Sequence, residues 1–212
     1  MSVKPPITPR VLTRRQALHH ALTAAVLPLA LAGCDEPPRL PFKSVDITGA
    51  DYANRFEMPD IDGRSRTLAD FKGRLPIVFF GYTHCPDVCP TTLAMLAEVR
   101  QLLGPDGNKV VAVLVTIDPE RDTAELLRPY VASFAPDWVA LRGDASQTQA
   151  MARTFKVFYR KAPGREPDSY TMDHTAASYV FDPRGRIRLY VRNGMPAADL
   201  ASDLRQLLAE RA

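Results

Sequence analysis

The sequence predicts an α/β fold, a three-layer sandwich in which a central mixed β-sheet lies between helices. Two continuous apolar runs rich in β-branched residues, residues 77–80 and 110–117, are typical of parallel strands covered on both faces. A helix-spaced segment between them completes a right-handed βαβ unit. Two alternating segments, residues 177–181 and 187–191, are joined by Asp-Pro-Arg-Gly and predict an antiparallel hairpin, which makes the sheet mixed.

The composition is that of an ordinary soluble protein with one folded domain. The chain has 212 residues, of which 46% are hydrophobic, 24% charged and 8% aromatic. It contains no internal repeat and no apolar run of the roughly 18 residues that suggest a membrane-spanning helix. These observations exclude a solenoid and a polytopic membrane protein.

The net charge of +3 does not indicate nucleic-acid binding. Four of the 27 basic residues and none of the 24 acidic ones lie in residues 1–33, so the remainder of the chain carries slightly more acid than base. The basic excess therefore belongs to the N-terminal segment, and no nucleic-acid partner is predicted.

Residues 1–33 have the order of a secretory signal peptide. A basic stretch ending in Arg14-Arg15 precedes an apolar stretch over residues 21–32, and Gly33-Cys34 follows. The apolar stretch is about half the length that a membrane-spanning helix needs and contains Pro28, which favours a removed signal over a permanent span. The sequence Leu-Ala-Gly-Cys also resembles the lipobox of bacterial lipoproteins.

The lipobox resemblance implies cleavage before Cys34, lipidation of Cys34, and anchoring on the outer, periplasmic side of the bacterial cytoplasmic membrane. Asp35 resembles the inner-membrane retention signal of some Gram-negative lipoproteins. The alternative is a free Cys34 thiol in an uncleaved anchor. The arginine pair resembles a twin-arginine (Tat) signal, but Ala17 stands where a bulkier apolar residue is usual, so both the Sec and the Tat export routes stay open.

The folded domain is predicted over residues 45–212. Residues 34–44 are the lipidated cysteine and a stiff tether, because they are rich in proline and show no periodic pattern. The domain begins with an added N-terminal β-hairpin over residues 56–59 and 65–68. Asp62-Gly63 between these segments suits the positive dihedral angles of a type I′ turn.

Two helices are predicted around the second central strand. The first covers residues 91–103 with leucines and a valine on one side, and Gly104-Pro105 ends it. The second begins after Asp122, because Glu125 three residues later completes a capping-box pattern. Pro129 should kink or shorten this second helix.

The C-terminal part completes the alternation of strands and helices. Residues 138–141 are predicted to form a strand, and Ser146 with Gln149 opens a third helix. Residues 162–172 are a polar loop, and a last helix covers residues 197–211. The order of β-hairpin, βαβ unit, helix, strand, helix, β-hairpin and helix is that of a thioredoxin-like sheet with helices on both faces.

Cys85 and Cys89 are the only cysteines of the predicted domain. They directly follow a predicted buried strand and precede a helix, and Pro90 disfavours helical geometry at Cys89. The pair is therefore predicted in a turn at a helix N-terminus, where unpaired backbone N–H groups and the positive end of the helix dipole favour the thiolate.

The spacing of three residues between the cysteines allows the sulfurs either to close a disulfide or to open around one ion. Two thiolates suit Cu(I), whereas structural zinc usually needs four protein ligands. A third ligand must be a histidine or a methionine, and only His84 and His174 follow Cys34. Adjacent side chains in an extended segment point apart, so His84 is predicted to be exposed and not a ligand.

His174 is the favoured third ligand. It lies just before the predicted strand 177–181, and in a thioredoxin-like sheet the loop entering this strand lies against the dithiol turn. The result is a Cys₂His site with an open position, which suits an ion that is handed on. Met172 is a candidate auxiliary soft ligand, although a methionine in a loop more often fills a gap in packing.

The cysteine segment resembles the signature of the Sco/SenC family of copper-binding assembly factors for cytochrome c oxidase. The match is Gly-Tyr-Thr-His-Cys-Pro-Asp-Val-Cys-Pro over residues 81–90, and it continues in residues 70–73, 118–123 and 173–175. It covers about residues 56–208. Pro129 departs from the usual helix pattern but is expected to touch none of the ligands.

The family resemblance implies that Cys85, Cys89 and His174 bind copper, as Cu(I), Cu(II) or both. It implies as partner the oxidase subunit that carries the binuclear CuA site, by copper delivery or by reduction of its cysteines. A periplasmic copper donor and a thiol reductant are further partners. Asp118 and Asp122 are predicted to end a strand and to cap a helix, and the resemblance permits Asp118 a second role near the partner surface.

The sequence is compatible with three classes of function. The first is a metallochaperone without turnover of its own. The second is a thiol–disulfide oxidoreductase in which Cys85 attacks and Cys89 resolves, but the spacing is three residues and no proline precedes Ala177, where thioredoxins place a cis-proline. The third is a peroxidase, whose Thr-x-x-Cys is absent because Thr83 stands two places from Cys85. A purely structural disulfide would add little cross-linking that this fold needs.

Overall fold

The computed structural model of the protein describes residues 41–164, 166 and 169–210. The predicted signal peptide, Cys34 and the tether up to residue 40 lie outside the described residues, as does the end of the predicted last helix. In the described part of the chain, no helix is long and apolar enough to cross a membrane.

The described residues form ten strands and four α-helices. The strands are β1 (Val45–Asp46), β2 (Glu57–Pro59), β3 (Ser65–Thr67), β4 (Leu75–Gly81), β5 (Val110–Thr116), β6 (Val139–Leu141), β7 (Tyr159–Pro163), β8 (Tyr170–His174), β9 (Ala177–Phe181) and β10 (Ile187–Arg192). The helices are α1 (Val88–Leu102), α2 (Ala124–Ala132), α3 (Ala145–Thr154) and α4 (Ala197–Ala209). Two 3₁₀ segments are Leu68–Phe71 and Gly104–Lys109.

A six-stranded mixed sheet forms the centre of the domain, in the order β1-β10-β9-β4-β5-β6. Strands β4, β5 and β6 are parallel, whereas β9 is antiparallel to β4, and β10 and β1 continue the antiparallel side. All seven residues of β4 and of β5 are buried, so both faces of the sheet centre are covered. The predicted α/β fold with a central mixed sheet is confirmed.

The apolar face of α1 packs against α4. Leu93, Leu96 and Val99 of α1 are fully buried, and Leu200 and Leu204 of α4 are buried with them. Each fully buried leucine contributes about 1.5–3 kcal/mol relative to its exposed state. The helix spacing seen in the sequence therefore corresponds to real core faces.

The predicted N-terminal hairpin is present as β2 and β3, which form a separate two-stranded sheet. The predicted type I′ turn is wrong, because Gly63 has φ of 79° but Asp62 does not have a positive φ. The Asp60 N–H donates to Arg64 O at 2.8 Å and the Gly63 N–H donates to Asp60 O at 3.0 Å. The loop therefore has three residues and needs a left-handed residue only at Gly63.

The predicted polar loop 162–172 is wrong in part, because β7 and β8 pair across it as a second small sheet. The register runs from Tyr159 opposite His174 to Pro163 opposite Tyr170. Most residues of the two strands are exposed or half-buried, which explains why no apolar alternation marks them. This second hairpin carries His174 as its last residue.

The helix starts differ from the predictions because tertiary contacts compete for the capping residues. Helix α2 is capped by Thr123, whose side chain accepts the Leu126 N–H at 3.4 Å, and not by Asp122. The helix continues past Pro129 to Ala132, so the proline does not end it. The carboxylate of Asp122 is engaged elsewhere, at the candidate site.

Helix α3 is capped by Asp144 and Gln147, not by the predicted pair of Ser146 and Gln149. The Gln147 N–H donates to the Asp144 carboxylate at 2.8 Å, and the Asp144 N–H donates to Gln147 Oε1 at 2.9 Å. The Ser146 hydroxyl donates to Asp144 and is therefore part of the same cap.

Residues at the end of the predicted tether contact the folded domain. The backbone N–H groups of Lys43 and Ser44 donate to the two carboxylate oxygens of Asp203, at 2.8 Å and 2.7 Å. Asp203 lies on α4 and is fully buried. The chain is therefore attached to α4 just before β1 begins.

Candidate metal centre

The cysteine loop lies between β4 and α1. Cys85 is half-buried in the loop, whereas Cys89 lies in the first turn of α1 and is 1% exposed. The prediction that Cys89 lies outside regular helical geometry is therefore wrong. Pro90 is tolerated at this position because the first backbone N–H groups of a helix have no partner within it.

Backbone hydrogen bonds bring the two sulfurs together. The Cys85 N–H donates to Tyr82 O at 3.3 Å, which turns the chain after β4. The Cys89 N–H donates to the Cys85 sulfur at 3.4 Å. The sulfur of Cys85 thus lies at the N-terminus of α1, where N–H donors and the helix dipole stabilise a thiolate.

Gly81 is needed at the end of β4 because the sulfur of Cys89 lies against it. A Cβ atom built on Gly81 would lie 2.6 Å from Cys89 Sγ and 3.3 Å from Leu114 Cδ1. Such a distance is well inside van der Waals contact, so any side chain at this position displaces the sulfur.

The side chain of Asp122 anchors the cysteine loop through hydrogen bonds. Its side chain is fully buried and accepts the Thr83 N–H at 3.1 Å, the Thr83 hydroxyl at 2.5 Å and the Thr116 hydroxyl at 2.5 Å. Sequence reasoning missed this role and assigned Asp122 to a helix cap. The available signal was that Asp122 follows β5, whose last residue pairs with Gly81 at the end of β4.

His174 stands at the end of β8 with its ring held from two sides. Its Nδ1 lies 3.1 Å from Thr175 O, and since a carbonyl oxygen can only accept, Nδ1 is the donor in this contact. The Tyr82 ring meets the His174 ring edge-on, with centroids 6.2 Å apart and an interplanar angle of 86°.

The structure brings the three predicted ligands together. Ligand atoms of Cys85, Cys89 and His174 all lie within 4.8 Å of one another. The side chain of His84 is 51% exposed, and its Nδ1 contacts the Thr83 hydroxyl at 3.1 Å, outside this group. Met172 is buried, and its backbone N–H donates to the Tyr82 hydroxyl, in keeping with a packing role.

The two cysteines differ strongly in proton affinity. A hydrogen bond from the Cys89 thiol lowers the pKa of Cys85 to about 4, and the His174 side chain and the N–H groups of Cys89 and Asp87 add to this effect against the opposing effect of burial. The same hydrogen bond, burial and the negative charge on Cys85 raise the pKa of Cys89. Near neutral pH the reduced pair is therefore a thiolate at Cys85 beside a thiol at Cys89.

A cavity of about 290 Å³ lies next to the site. It is located between α1 and the chain segment that follows β10. Cys89 and His174 both line it, together with polar residues such as Thr92 and Asn193. The arrangement offers two soft sulfur ligands, one imidazole nitrogen and an adjacent opening. It can hold one soft metal ion with room for a further ligand, or it can carry out thiol exchange through Cys85.

Comparison with known proteins identifies the family. A sequence model of the SCO1/SenC family matches residues 45–209. Two similar relatives are the mitochondrial SCO2 homologs of Bos taurus and Homo sapiens, 37% and 36% identical over 156 residues, or 73% of this chain and 59% of each relative. The chain thus spans about three fifths of the length of these curated relatives.

Solved structures of similar proteins share the fold. ScoI of Bradyrhizobium japonicum, solved with copper bound, is 37% identical with a TM-score of 0.63 and covers 72% of this chain and 97% of its own. Apo Sco1 of Thermus thermophilus is 32% identical with a TM-score of 0.69 and covers 81% of this chain and 99% of its own. With a family match over nearly the whole folded domain, the chain belongs to the SCO1/SenC family.

Proposed function

We propose that the protein is a copper metallochaperone, which binds one copper ion through Cys85, Cys89 and His174 and delivers it to the CuA site of cytochrome c oxidase. The observation that carries the proposal is the group of two sulfurs and one imidazole nitrogen within 4.8 Å of one another. Two thiolates and an imidazole suit Cu(I), and a site with three protein ligands leaves a position open for transfer.

The chemistry of the donor set favours copper over structural zinc and over hard ions. Structural zinc sites close with four protein ligands, and this group contains three among the described residues. Hard ions such as Mg²⁺ and Ca²⁺ prefer oxygen ligands. Because the pKa of Cys85 is already about 4, only Cys89 must lose a proton when the ion binds near neutral pH.

Solved relatives support the choice of copper. ScoI of Bradyrhizobium japonicum and ScoI of Arabidopsis thaliana were both solved with copper bound, at 37% and 28% identity to this chain. Membership in the SCO1/SenC family supports the oxidase as the proposed recipient. A periplasmic copper donor and a thiol reductant complete the proposed set of partners, because the site must be loaded and kept reduced.

Anaerobic titration of the reduced full-length protein with Cu(I), against a competing chelator, tests the three-ligand site. We expect one tightly bound ion in the wild type. Cys85→Ser, Cys89→Ser and His174→Ala should each lose more affinity than the roughly 10- to 100-fold caused by changes outside the ligand set. His84→Ala is the matched control and should bind like the wild type. Retention of stoichiometric, tight copper by His174→Ala would rule out the three-ligand site.

A second candidate function is reduction of disulfides, and the low pKa of Cys85 beside the Cys89 thiol favours it. The Cys85 thiolate would attack a target disulfide and release one target thiolate, and Cys89 would then displace the second target sulfur after losing its proton. Two electrons pass to the target, and Cys85 and Cys89 become a disulfide. The test is turnover of a CuA-site peptide disulfide with an external thiol reductant, with Cys85→Ser as the inactive control.

We further propose that the mature protein is anchored to the periplasmic side of the bacterial cytoplasmic membrane by a lipid on Cys34. Support comes from the basic and apolar segments that precede Leu-Ala-Gly-Cys in the sequence. Cys34→Ser should leave the protein unlipidated in a mass spectrum of the membrane fraction. Lipidation that persists in Cys34→Ser would exclude this anchor.

A further inference from the structure

Residues 116–122 lie between the two elements that carry the proposed ligands. Asp122 holds the cysteine loop through Thr83, and Arg121, its neighbour, contacts the β7–β8 hairpin through Tyr170. We infer that Arg121 is a positioning residue that fixes the location of the His174 ring relative to the two sulfurs. The inference rests on the proposed copper function and names a residue that determines its ligand geometry.

One path from Arg121 to His174 runs along β8. The Arg121 guanidinium carbon lies 3.6 Å from the centroid of the Tyr170 ring, and Nη1 donates to Tyr170 O at 2.9 Å. Tyr170 is the first residue of β8 and His174 is the last. Arg121 therefore holds both the ring and the backbone at the start of the short strand that ends in the proposed ligand.

A second path runs through Tyr82. The Arg121 guanidinium carbon lies 5.7 Å from the centroid of the Tyr82 ring, so the guanidinium lies within cation–π range of two aromatic rings. Tyr82 is 2% exposed, its ring edge meets the His174 ring, and its hydroxyl accepts the Met172 N–H at 3.2 Å. Both paths lead to the imidazole, and the hydrogen bond between the Tyr82 hydroxyl and Met172 of β8 links them.

Asp118 fixes Arg121 in turn. The carboxylate is 2% exposed, and its two oxygens accept one hydrogen bond each, from the Tyr170 hydroxyl at 2.9 Å and from Arg121 Nε at 2.5 Å. Arg121 Nη2 is buried without a hydrogen-bond partner in the described part of the chain. A buried donor without a partner costs free energy. The contacts of the guanidinium with the two rings and with Asp118 must therefore offset this cost.

Arg160 provides a matched control on the same hairpin. It pairs with Asp173, the residue next to His174, with nitrogen–oxygen distances of 3.1 Å and 3.0 Å. Its side chain is 67% exposed and that of Asp173 is 49% exposed, so water competes for this pair. Arg160 therefore shares with Arg121 its residue type, its carboxylate partner and its proximity to His174, but it lacks the buried contacts.

The decisive experiment is a double-mutant cycle with His174 in the full-length protein. Arg121→Lys keeps the charge opposite Asp118 but lacks the planar fork that stacks and donates to Tyr170. It should raise the Cu(I) dissociation constant about 10- to 100-fold in the wild-type background. In the His174→Ala background the same change should have an effect of no more than about twofold, because the ligand on which Arg121 acts is gone. Arg160→Gln should change neither value.

Nuclear magnetic resonance of the reduced, metal-free protein gives a readout that does not depend on copper. The wild type should show nuclear Overhauser contacts between the Tyr82 and His174 rings, and Arg121→Lys should lose them while keeping the core signals of β4 and β5. Equal affinity losses in both backgrounds would mean that Arg121 supports the whole fold, and would overturn the inference. Unchanged ring contacts would overturn it as well.

The two proposals fail in different ways. If the wild type binds no copper that depends on Cys85, Cys89 and His174, the proposed function fails, and the ring contacts in the metal-free protein still decide whether Arg121 positions His174. If the wild type binds copper as expected and Arg121→Lys binds it equally well, only the positioning role of Arg121 is excluded.

Discussion

The two parts of the site are held by different kinds of structure. Cys85 and Cys89 follow a wholly buried central strand, and the buried Asp122 carboxylate anchors the loop that carries them. His174 ends a hairpin outside the six-stranded sheet, and most residues of that hairpin are exposed or half-buried. Cys89 is therefore part of the core and Cys85 packs against it, whereas His174 is held by a small number of contacts.

This difference bears on how an ion could leave the site. Segments with few buried contacts open at a lower free-energy cost than core strands do. We therefore expect His174 to detach from the ion before either sulfur does, so that an incoming ligand can take the position of the imidazole. The cavity lined by both Cys89 and His174 lies open to such a ligand.

The largest expected effect is the difference in reactivity between the two sulfurs. Because the pKa of Cys85 is lowered to about 4, its thiolate persists as the pH falls and becomes protonated only near that value. Alkylation of the reduced protein by iodoacetamide, mapped by mass spectrometry, should label Cys85 with half-maximal rate near pH 4 and leave Cys89 unlabelled. A half-maximal rate near the ordinary thiol pKa would contradict this prediction, and the unfolded protein, in which both cysteines titrate ordinarily, is the control.

Removal of the Asp122 carboxylate, which anchors the cysteine loop, should destabilise the fold strongly. Asp122→Ala leaves the buried Thr116 hydroxyl and the Thr83 N–H without their acceptor, which should cost about 2–4 kcal/mol in the free energy of unfolding. Urea unfolding of the metal-free protein measures this cost. Asp87→Asn changes an exposed acid in the cysteine loop itself, serves as control and should alter stability little. A loss of equal size in both variants would argue against the anchoring role of Asp122.

Gly81→Ala should lower the free energy of unfolding by a smaller amount, and a second substitution at Cys89 should reverse this loss. The new methyl group overlaps the position of Cys89 Sγ, so we expect a loss of about 1–3 kcal/mol in the free energy of unfolding and weaker copper binding. Removing the sulfur should relieve the overlap, so that Gly81→Ala/Cys89→Ala is about as stable as Cys89→Ala alone. If the two losses simply add, the overlap with Cys89 is not the cause.

The fold could be predicted where burial leaves a pattern in the sequence. Strands β4, β5, β9 and β10 were predicted because their residues are buried and therefore apolar. The β7–β8 hairpin left no such pattern, since Arg160 and Lys161 are exposed and the pairing depends on backbone hydrogen bonds. The helix starts were misjudged for a related reason: Asp122 has the spacing of a cap but is engaged by threonines from two other elements.

The ligands could be predicted from the sequence because their chemistry is unusual. The residues that position the ligands could not be predicted in this way. Two cysteines at close spacing and a histidine are rare residue types, and the structure brings all three together. The residues that hold them, Tyr82 and Arg121, act through contacts between parts of the chain that are far apart in sequence. Only the folded arrangement of β4, β5 and β8 shows that these side chains meet.

The smallest expected effect concerns the exposed face of the hairpin. Asp173→Asn removes the partner of Arg160 next to His174, yet both side chains are largely in water, so the change should cost about 0–1 kcal/mol in the free energy of unfolding. Thermal unfolding and Cu(I) competition should both match the wild type within error. Because Asp173 lies next to His174 in the chain, an unchanged affinity would support positioning of His174 by the Tyr82 ring and by the attachment of β8 at Tyr170. A marked loss of copper affinity in Asp173→Asn would instead assign the support of His174 to the solvent-exposed side of the hairpin.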